Sequence, residues 1–147
     1  MTKDRVSEEL KDAMRARDRD RLDALRMLLT SVKNKEVELG HQLTDDEFVQ
    51  VVSTEVKRRK EAADAYEQGG REELLRKERA EQAILEAYLP EQLSEDETRA
   101  LVDEAVSATG ASGPGDLGKV MGYVMGKAKG RIDGGEVNRL VRERLPE

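Results

Sequence analysis

Cysteine is absent from this 147-residue chain, and histidine occurs once, at His41. Without cysteine there is no disulfide, no thiolate nucleophile and no thiolate metal ligand, which suits a reducing compartment. Because there is no second histidine, His41 lacks a partner for a transition-metal site or for acid–base chemistry, and we interpret it as a loop residue. The sequence therefore predicts no cofactor, no metal site and no catalytic residue.

Long apolar runs are also missing, since the longest are triplets such as Met27-Leu28-Leu29. A membrane-spanning helix needs about 20 mostly apolar residues, and a secretory signal needs an apolar segment after its basic start. Residues 1–5 instead lead directly into a charged helical pattern. We therefore expect a cytoplasmic protein with no membrane partner.

Aromatic residues make up only 3% of the chain, whereas charged residues make up 39%. The core must therefore be built from Leu, Val, Met and Ala, arranged as stripes along charged helices. Valine recurs at helical spacing, and no segment sustains the alternation of apolar and polar residues that marks a half-buried strand. The sequence predicts an all-α fold.

Capping residues predict where the helices begin and end. Two capping boxes, Thr44–Glu47 and Ser94–Glu97, are expected to start the third and the fifth helix, and Gly40 is expected to end the second. Pro90 lacks an amide donor, so it is predicted to interrupt the fourth helix. Three further helices follow, and the fifth ends at Gly110.

These boundaries predict two domains. An N-terminal bundle of about four helices, some of them long, is expected over residues 1–92, and a small three-helix domain over residues 93–147. The net charge of −6 is unevenly spread along the chain. Residues 94–115 hold one base against five acids, whereas residues 116–144 hold seven bases against four acids, so we expect a basic C-terminal end.

A row of glycines runs through the predicted sixth helix. Its members recur every four residues: Gly118, Gly122, Gly126 and Gly130. Glycine inside a helix costs about 1 kcal/mol relative to alanine, so the row calls for an explanation. On a helical wheel it lies beside Lys119, Tyr123 and Lys127, which suits close approach to a phosphate backbone with one ring for stacking. The simpler alternative is close packing against a neighbouring helix, which needs no ligand.

Two other motifs are interpreted as structural. The segment Gly113–Gly118 matches the dinucleotide fingerprint, but that fingerprint needs a preceding strand where helix is predicted, so the segment is read as an interhelix loop. A phosphate-binding loop over the same residues would place Val120 where magnesium needs a hydroxyl. The basic cluster Lys57–Lys60 spreads around a helix, so we favour a charged helix face, with at least one side chain packed along the core edge.

Several segments together resemble the GatB/YqeY family, and specifically its free-standing YqeY proteins. They are Arg21–Leu28, Val32–Glu36, Tyr88–Leu93, Gly118–Gly122 and Lys129–Gly134. The resemblance implies a helical N-terminal domain and a three-helix C-terminal domain similar to the tail of the amidotransferase B subunit. In that enzyme, which amidates Glu or Asp misacylated onto tRNA with glutamine as nitrogen donor, the tail is associated with tRNA contact and the chemistry belongs to a larger domain.

The resemblance therefore implies an accessory protein, and nothing in this sequence supports the carbon–nitrogen ligase activity associated with the family. The expected partners are tRNA, an aminoacyl-tRNA synthetase or amidotransferase components. Lys119, Lys127, Lys129 and Arg131 are predicted to contact phosphates, with Tyr123 beside them. The alternative is a protein–protein adaptor whose apolar groove receives a partner helix.

Overall fold

In a computed structural model, which describes residues 2–146, the chain consists of helices joined by short turns. The helices are α1 (Thr2–Ala16), α2 (Arg19–Leu39), α3 (Asp45–Gln68), α4 (Glu72–Glu86), α5 (Glu95–Thr109), α6 (Leu117–Lys127) and α7 (Gly134–Arg144). A single 3-10 turn, Pro114–Asp116, precedes α6. No strand occurs among the described residues, and the all-α prediction is confirmed.

The chain divides into two compact units, Met1–Leu89 and Pro90–Glu147. In the first unit α1, α2, α3 and α4 pack around Leu25, Leu28, Phe48 and Leu85, all of which are almost fully buried. The unit has a small aromatic contact at its edge, where the rings of Phe48 and Tyr88 meet edge to face. The division into an N-terminal domain over residues 1–92 and a C-terminal domain over residues 93–147 stays a prediction.

Two helix starts and one helix end lie where the capping residues in the sequence predict them. Thr44 accepts a hydrogen bond from the Glu47 amide at 3.2 Å while the Glu47 carboxylate accepts from the Thr44 amide at 2.9 Å, and Ser94 with Glu97 forms the same reciprocal pair. Gly40 ends α2 with a φ of 79°, in the left-handed region that favours glycine. The predictions of both capping boxes and of this helix end are confirmed.

The basic cluster Lys57–Lys60 contributes one cation to the interior of the first unit. The Arg59 side chain is only 11% exposed and donates to Glu55 at 3.3 Å and to Glu78 at 3.4 Å. Glu55 is also buried and accepts from Ser31 and Arg58. The prediction that at least one side chain of the cluster packs at the core edge is confirmed, and Arg59 is that side chain.

The second unit has a three-helix core in which valine is the most frequent residue. Val102, Val120, Val124, Val137 and Val141 from α5, α6 and α7 pack together and are at most 2% exposed. The segment from Pro90 to Ser94, which we call the connector, precedes α5 in this unit and is hydrogen-bonded to the turn after α6. The Leu93 amide donates to the Arg131 carbonyl at 2.8 Å, the Gln92 side chain to the Gly130 carbonyl at 2.7 Å, and the Arg131 guanidinium to the Glu91 carbonyl at 2.9 Å.

The sixth helix is shorter than the glycine pattern predicted. It ends at Lys127, and the chain then turns through Gly130, whose φ is 72°. Gly130 therefore serves as a left-handed turn residue and is not part of the helical row. The segment before Gly113 is α5, as the interhelix-loop interpretation requires, and a 3-10 turn follows it.

Candidate nucleic-acid interface

The predicted binding residues fall into two groups in the second unit. Lys119, Tyr123 and Lys127 lie on one side of α6 at successive fourth positions, whereas Lys129 and Arg131 lie in the turn after it. Val120 and Val124 of this helix are fully buried and fix its orientation. The side that carries the lysines therefore faces solvent. The predicted five residues are therefore neighbours along one helix and its C-terminal turn.

Lys127 and Tyr123 share one acidic partner that the sequence reasoning did not identify. Glu104 of α5 accepts from the Tyr123 hydroxyl at 2.8 Å and from Lys127 Nζ at 2.9 Å, and this ammonium also lies 5.1 Å from the centre of the Tyr123 ring. The hydrogen bond from Lys127, followed by that from Tyr123, lowers the pKa of Glu104, and the hydrogen bond to Glu104 raises the pKa of Lys127. In this arrangement the tyrosine ring is not free for stacking on both faces.

The other three predicted residues differ in how firmly they are held. Lys119 lies 3.7 Å from Asp116 and its side chain is 67% exposed. Lys129 is exposed and makes no ion pair with any residue in the described part of the chain. Arg131 is tied to the connector through its Nε, but it has no carboxylate within ion-pair distance among residues 2–146. Lys119, Lys129 and Arg131 are thus the cations best able to meet an anion.

The three glycines that remain in the helical row are exposed. A Cβ atom added at Gly118, Gly122 or Gly126 would meet no other atom within 4 Å. Within the second unit, therefore, no neighbouring helix packs against these three glycines. The row leaves a smooth strip of backbone on the surface of α6, next to Lys119 and Lys127.

The C-terminal end of the chain, which the sequence predicts to be basic, carries acidic as well as basic side chains on its surface. Acidic side chains of α5 neutralise cations of the following helices: Glu95 pairs with Arg139, Asp103 with Arg144 and Glu104 with Lys127. A shallow depression of about 400 Å³ beside the C-terminal end of α6 shows the same mixture, since Lys127 and Arg131 line it together with Glu97 and Glu104. Counting charges along the sequence missed this, because each pair joins residues on two different helices and depends on how those helices pack.

The remaining residues that were weighed as sites keep structural roles. His41 is exposed in the turn after α2, with its Nδ1 2.7 Å from the Gln42 carbonyl. Residues 2–146 contain no group of three or more His, Asp or Glu side chains arranged to hold a metal ion. Within the same residues, every helix is too short or too polar to serve as a membrane span.

Comparisons with known proteins agree with the resemblance in the sequence. "Altered inheritance of mitochondria protein 41, mitochondrial" of Pyrenophora tritici-repentis is 28% identical over 142 residues, which cover 95% of this chain and 78% of that protein. A protein of the same name from Eremothecium gossypii is 32% identical over 89 residues, which cover 57% of this chain and 46% of that protein.

A third relative is a subunit of an amidotransferase. The E subunit of the glutamyl-tRNA(Gln) amidotransferase of Thermococcus gammatolerans is 34% identical over 90 residues, which cover 58% of this chain but only 14% of that protein. The chain is therefore related to a small part of an amidotransferase subunit. A sequence model of the family described as "Yqey-like protein" matches residues 3–145, and the chain belongs to this family.

Proposed function

We propose that the protein is an accessory factor of tRNA-dependent amidation that binds tRNA through its second unit. The relation to an amidotransferase subunit supports the pathway, and the small share of that subunit that is matched supports an accessory role. The binding surface comprises the glycine strip of α6 (Gly118, Gly122 and Gly126) and the cations around it, which are Lys119, Lys127, Lys129 and Arg131.

The observation that carries this proposal is that no other part of the second unit packs against the glycine strip. Three exposed glycines in one helix destabilise it by roughly 1 kcal/mol each relative to alanine, and none of them has a left-handed φ or a packing neighbour that would require glycine. A surface that must let another backbone approach closely gives a reason for the missing side chains. A negatively charged backbone is favoured, because Lys119 and Lys129 flank the strip with exposed ammonium groups.

The test is a titration of the full chain with unfractionated tRNA at several salt concentrations. A variant with Lys119, Lys127, Lys129 and Arg131 all changed to alanine should bind at least about tenfold more weakly at 0.15 M salt, with a shallower salt dependence. The matched control changes Arg99, Arg139, Arg142 and Arg144 to alanine, which removes the same charge from the same unit. Equal binding by the two variants, or no binding by the wild type, would reject the proposal.

A second candidate function is a protein–protein adaptor, for which the first unit offers an open groove. The groove, of about 610 Å³, runs between α2 and α3; only Leu39 and Val51 of its lining are apolar, so it would suit a polar partner surface better than the apolar face of a helix. Amidotransferase components and aminoacyl-tRNA synthetases are the partners to test. Co-elution with a purified amidotransferase component, unchanged by ribonuclease, would favour the adaptor over the RNA-binding function.

A further inference from the structure

The solvent-facing side of α2 carries a line of cations that have no acidic partner. Arg19, Arg26 and Lys33 are exposed, and none of them has a carboxylate within 4.0 Å among residues 2–146. They are spaced by seven residues, so successive charges lie on the same face and about 10.5 Å apart along the helix axis. We call these three residues the α2 ridge. It spans about 21 Å along the helix axis.

Most acidic residues near the α2 ridge are paired with cations outside it; the exception is Asp18, which is in no ion pair among the described residues and accepts a hydrogen bond from the Arg21 amide. Asp23 lies between Arg19 and Arg26 on the helix and is hydrogen-bonded to Lys77 of α4 at 2.8 Å; this bond lowers its pKa, and the charges of Arg19 and Arg26 act in the same direction. Glu36 pairs with Lys3 at 2.9 Å. Two more acids near the ridge are also in ion pairs, Asp20 with Arg76 and Glu38 with Lys35. The ridge is therefore a local excess of positive charge.

Exposed cations of the first unit fall into two groups, since Arg17, Lys57 and Arg71 also form no ion pair among the described residues, whereas others are paired. Lys11 pairs with Glu8, Arg15 with Asp12, and Arg79 with Asp64. What distinguishes the ridge is its spacing, because its three unpaired cations lie seven residues apart on one face of a single helix. A polyanion that follows this face can contact all three.

We propose that the α2 ridge is a second RNA-binding surface, in which Arg19, Arg26 and Lys33 each contact a backbone phosphate. The choice of RNA as the polyanion rests on the proposed function of the second unit. A membrane surface fits less well, because the apolar side of α2 faces the core through Ala24, Leu25, Leu28 and Val32 and is not available for insertion. The exposed Asn34 amide, beside the ridge, adds a neutral donor of the kind that also bonds phosphate oxygens.

The experiment compares variants of the full chain in the same tRNA titration. The ridge variant changes Arg19, Arg26 and Lys33 to alanine. Its control changes Lys11, Arg15 and Arg79 to alanine, which removes equal charge from exposed but paired positions of the same unit. The ridge variant should bind at least about tenfold more weakly at 0.15 M salt, and the slope of log affinity against log salt should fall by about three. The control should bind within about twofold of the wild type.

Four outcomes separate this proposal from the proposed function of the second unit. If only the ridge variant loses affinity, the ridge is an RNA surface and the second unit is not; if only the quadruple variant of the second unit does, the ridge proposal is wrong. Loss in both variants supports both surfaces, and loss in neither rejects both. Binding of the wild type to anionic phospholipid vesicles but not to tRNA would overturn RNA as the occupant. Thermal melts monitored by circular dichroism check that each variant is folded.

Discussion

Lys127 Nζ lies 2.9 Å from Glu104 Oε2, and this contact joins the last residue of α6 to the middle of α5. The same oxygen accepts from Tyr123, so a single carboxylate holds two of the five residues that the sequence predicts to bind nucleic acid. A phosphate that binds Lys127 must compete with this carboxylate. Glu104 therefore opposes the binding that we propose for this surface.

The Glu104→Gln substitution should strengthen tRNA binding, because it removes one negative charge from the surface and releases Lys127 from its ion pair. We expect a gain of about threefold to tenfold in affinity at 0.1 M salt, measured by titration. Asp96→Asn is the matched control, since Asp96 is an exposed acid of α5 without an ion pair among the described residues. Equal effects of the two substitutions would show that only net charge matters.

The glycine strip predicts opposite effects on stability and on binding. Gly122→Ala should raise the free energy of unfolding of the second unit by about 1 kcal/mol, because alanine has the higher helix propensity and its Cβ meets nothing. The same substitution should weaken tRNA binding, and Gly122→Gln should weaken it further. Thermal melts and tRNA titrations of both variants check this. Unchanged affinity with a glutamine at this position would show that the strip does not touch RNA.

Glu81 should make the first unit less stable as the pH rises. It is only 3% exposed, its Oε2 has no hydrogen-bond partner, and the Nε of Arg59 is buried without one as well. Burial raises the pKa of Glu81, although the charge of Arg59 acts in the opposite direction. Because the folded state binds this proton more tightly than the unfolded state, the stabilisation is complete below the ordinary carboxyl pKa and is lost as the pH passes through the raised pKa.

Glu81→Gln should remove this pH dependence, because glutamine imitates the neutral acid. We expect the free energy of unfolding at pH 8 to rise by about 1 kcal/mol, with a smaller gain at pH 5. Urea denaturation at a series of pH values measures it. Glu73→Gln serves as the control on the same helix, because the Glu73 side chain is 93% exposed. A gain that is the same at every pH would contradict the assignment to Glu81.

Tyr88 stabilises the end of the first unit through Glu9. The Glu9 carboxylate accepts hydrogen bonds from the Tyr88 hydroxyl, from Arg5 and from Arg21, while the Arg5 guanidinium lies 4.6 Å from the centre of the Tyr88 ring. Burial alone would raise the pKa of Glu9, but these hydrogen bonds outweigh it and lower the pKa. This part of the stability is present above the ordinary carboxyl pKa and is lost as the pH falls through the lowered value.

Tyr88→Phe should therefore cost about 1–3 kcal/mol in the free energy of unfolding at pH 7, with a smaller loss in acid. Chemical denaturation at pH 7 and at pH 3 provides the measurement. Tyr66→Phe is the matched control, since the Tyr66 hydroxyl has no hydrogen-bond partner among residues 2–146. Equal losses at both pH values would mean that the hydroxyl acts without Glu9.

Much of the fold could be predicted because the ends of helices depend on residues that are close together in the sequence. The two capping boxes need only residues three apart, and Gly40 and Gly110 stop their helices by adopting a left-handed φ. The end of α6 was predicted wrongly for the same local reason. Gly126 and Gly130 continue the four-residue period, and nothing in that period shows that only Gly126 is helical.

The candidate site could be predicted only in part. The positions of Lys119, Tyr123 and Lys127 on one side of α6 follow from helical spacing, whereas the role of Glu104 depends on how α5 packs against α6. The exposure of the glycine strip could not be predicted from the sequence either, because periodicity shows which residues share a face of a helix but not what covers that face. Pairing between distant helices likewise concealed how little free charge the basic end presents.

The most direct test of the central claim is a titration of the ¹⁵N-labelled full chain with tRNA, observed through its backbone amide resonances. The amides of Gly118, Gly122 and Gly126, and those of residues 127–131, should shift or broaden at the lowest RNA concentrations, and should recover when salt is added. The amides of α7 should change much less. An unchanged spectrum at saturating RNA, or changes confined to residues outside 117–131 and the α2 ridge, would contradict the claim that this surface binds RNA.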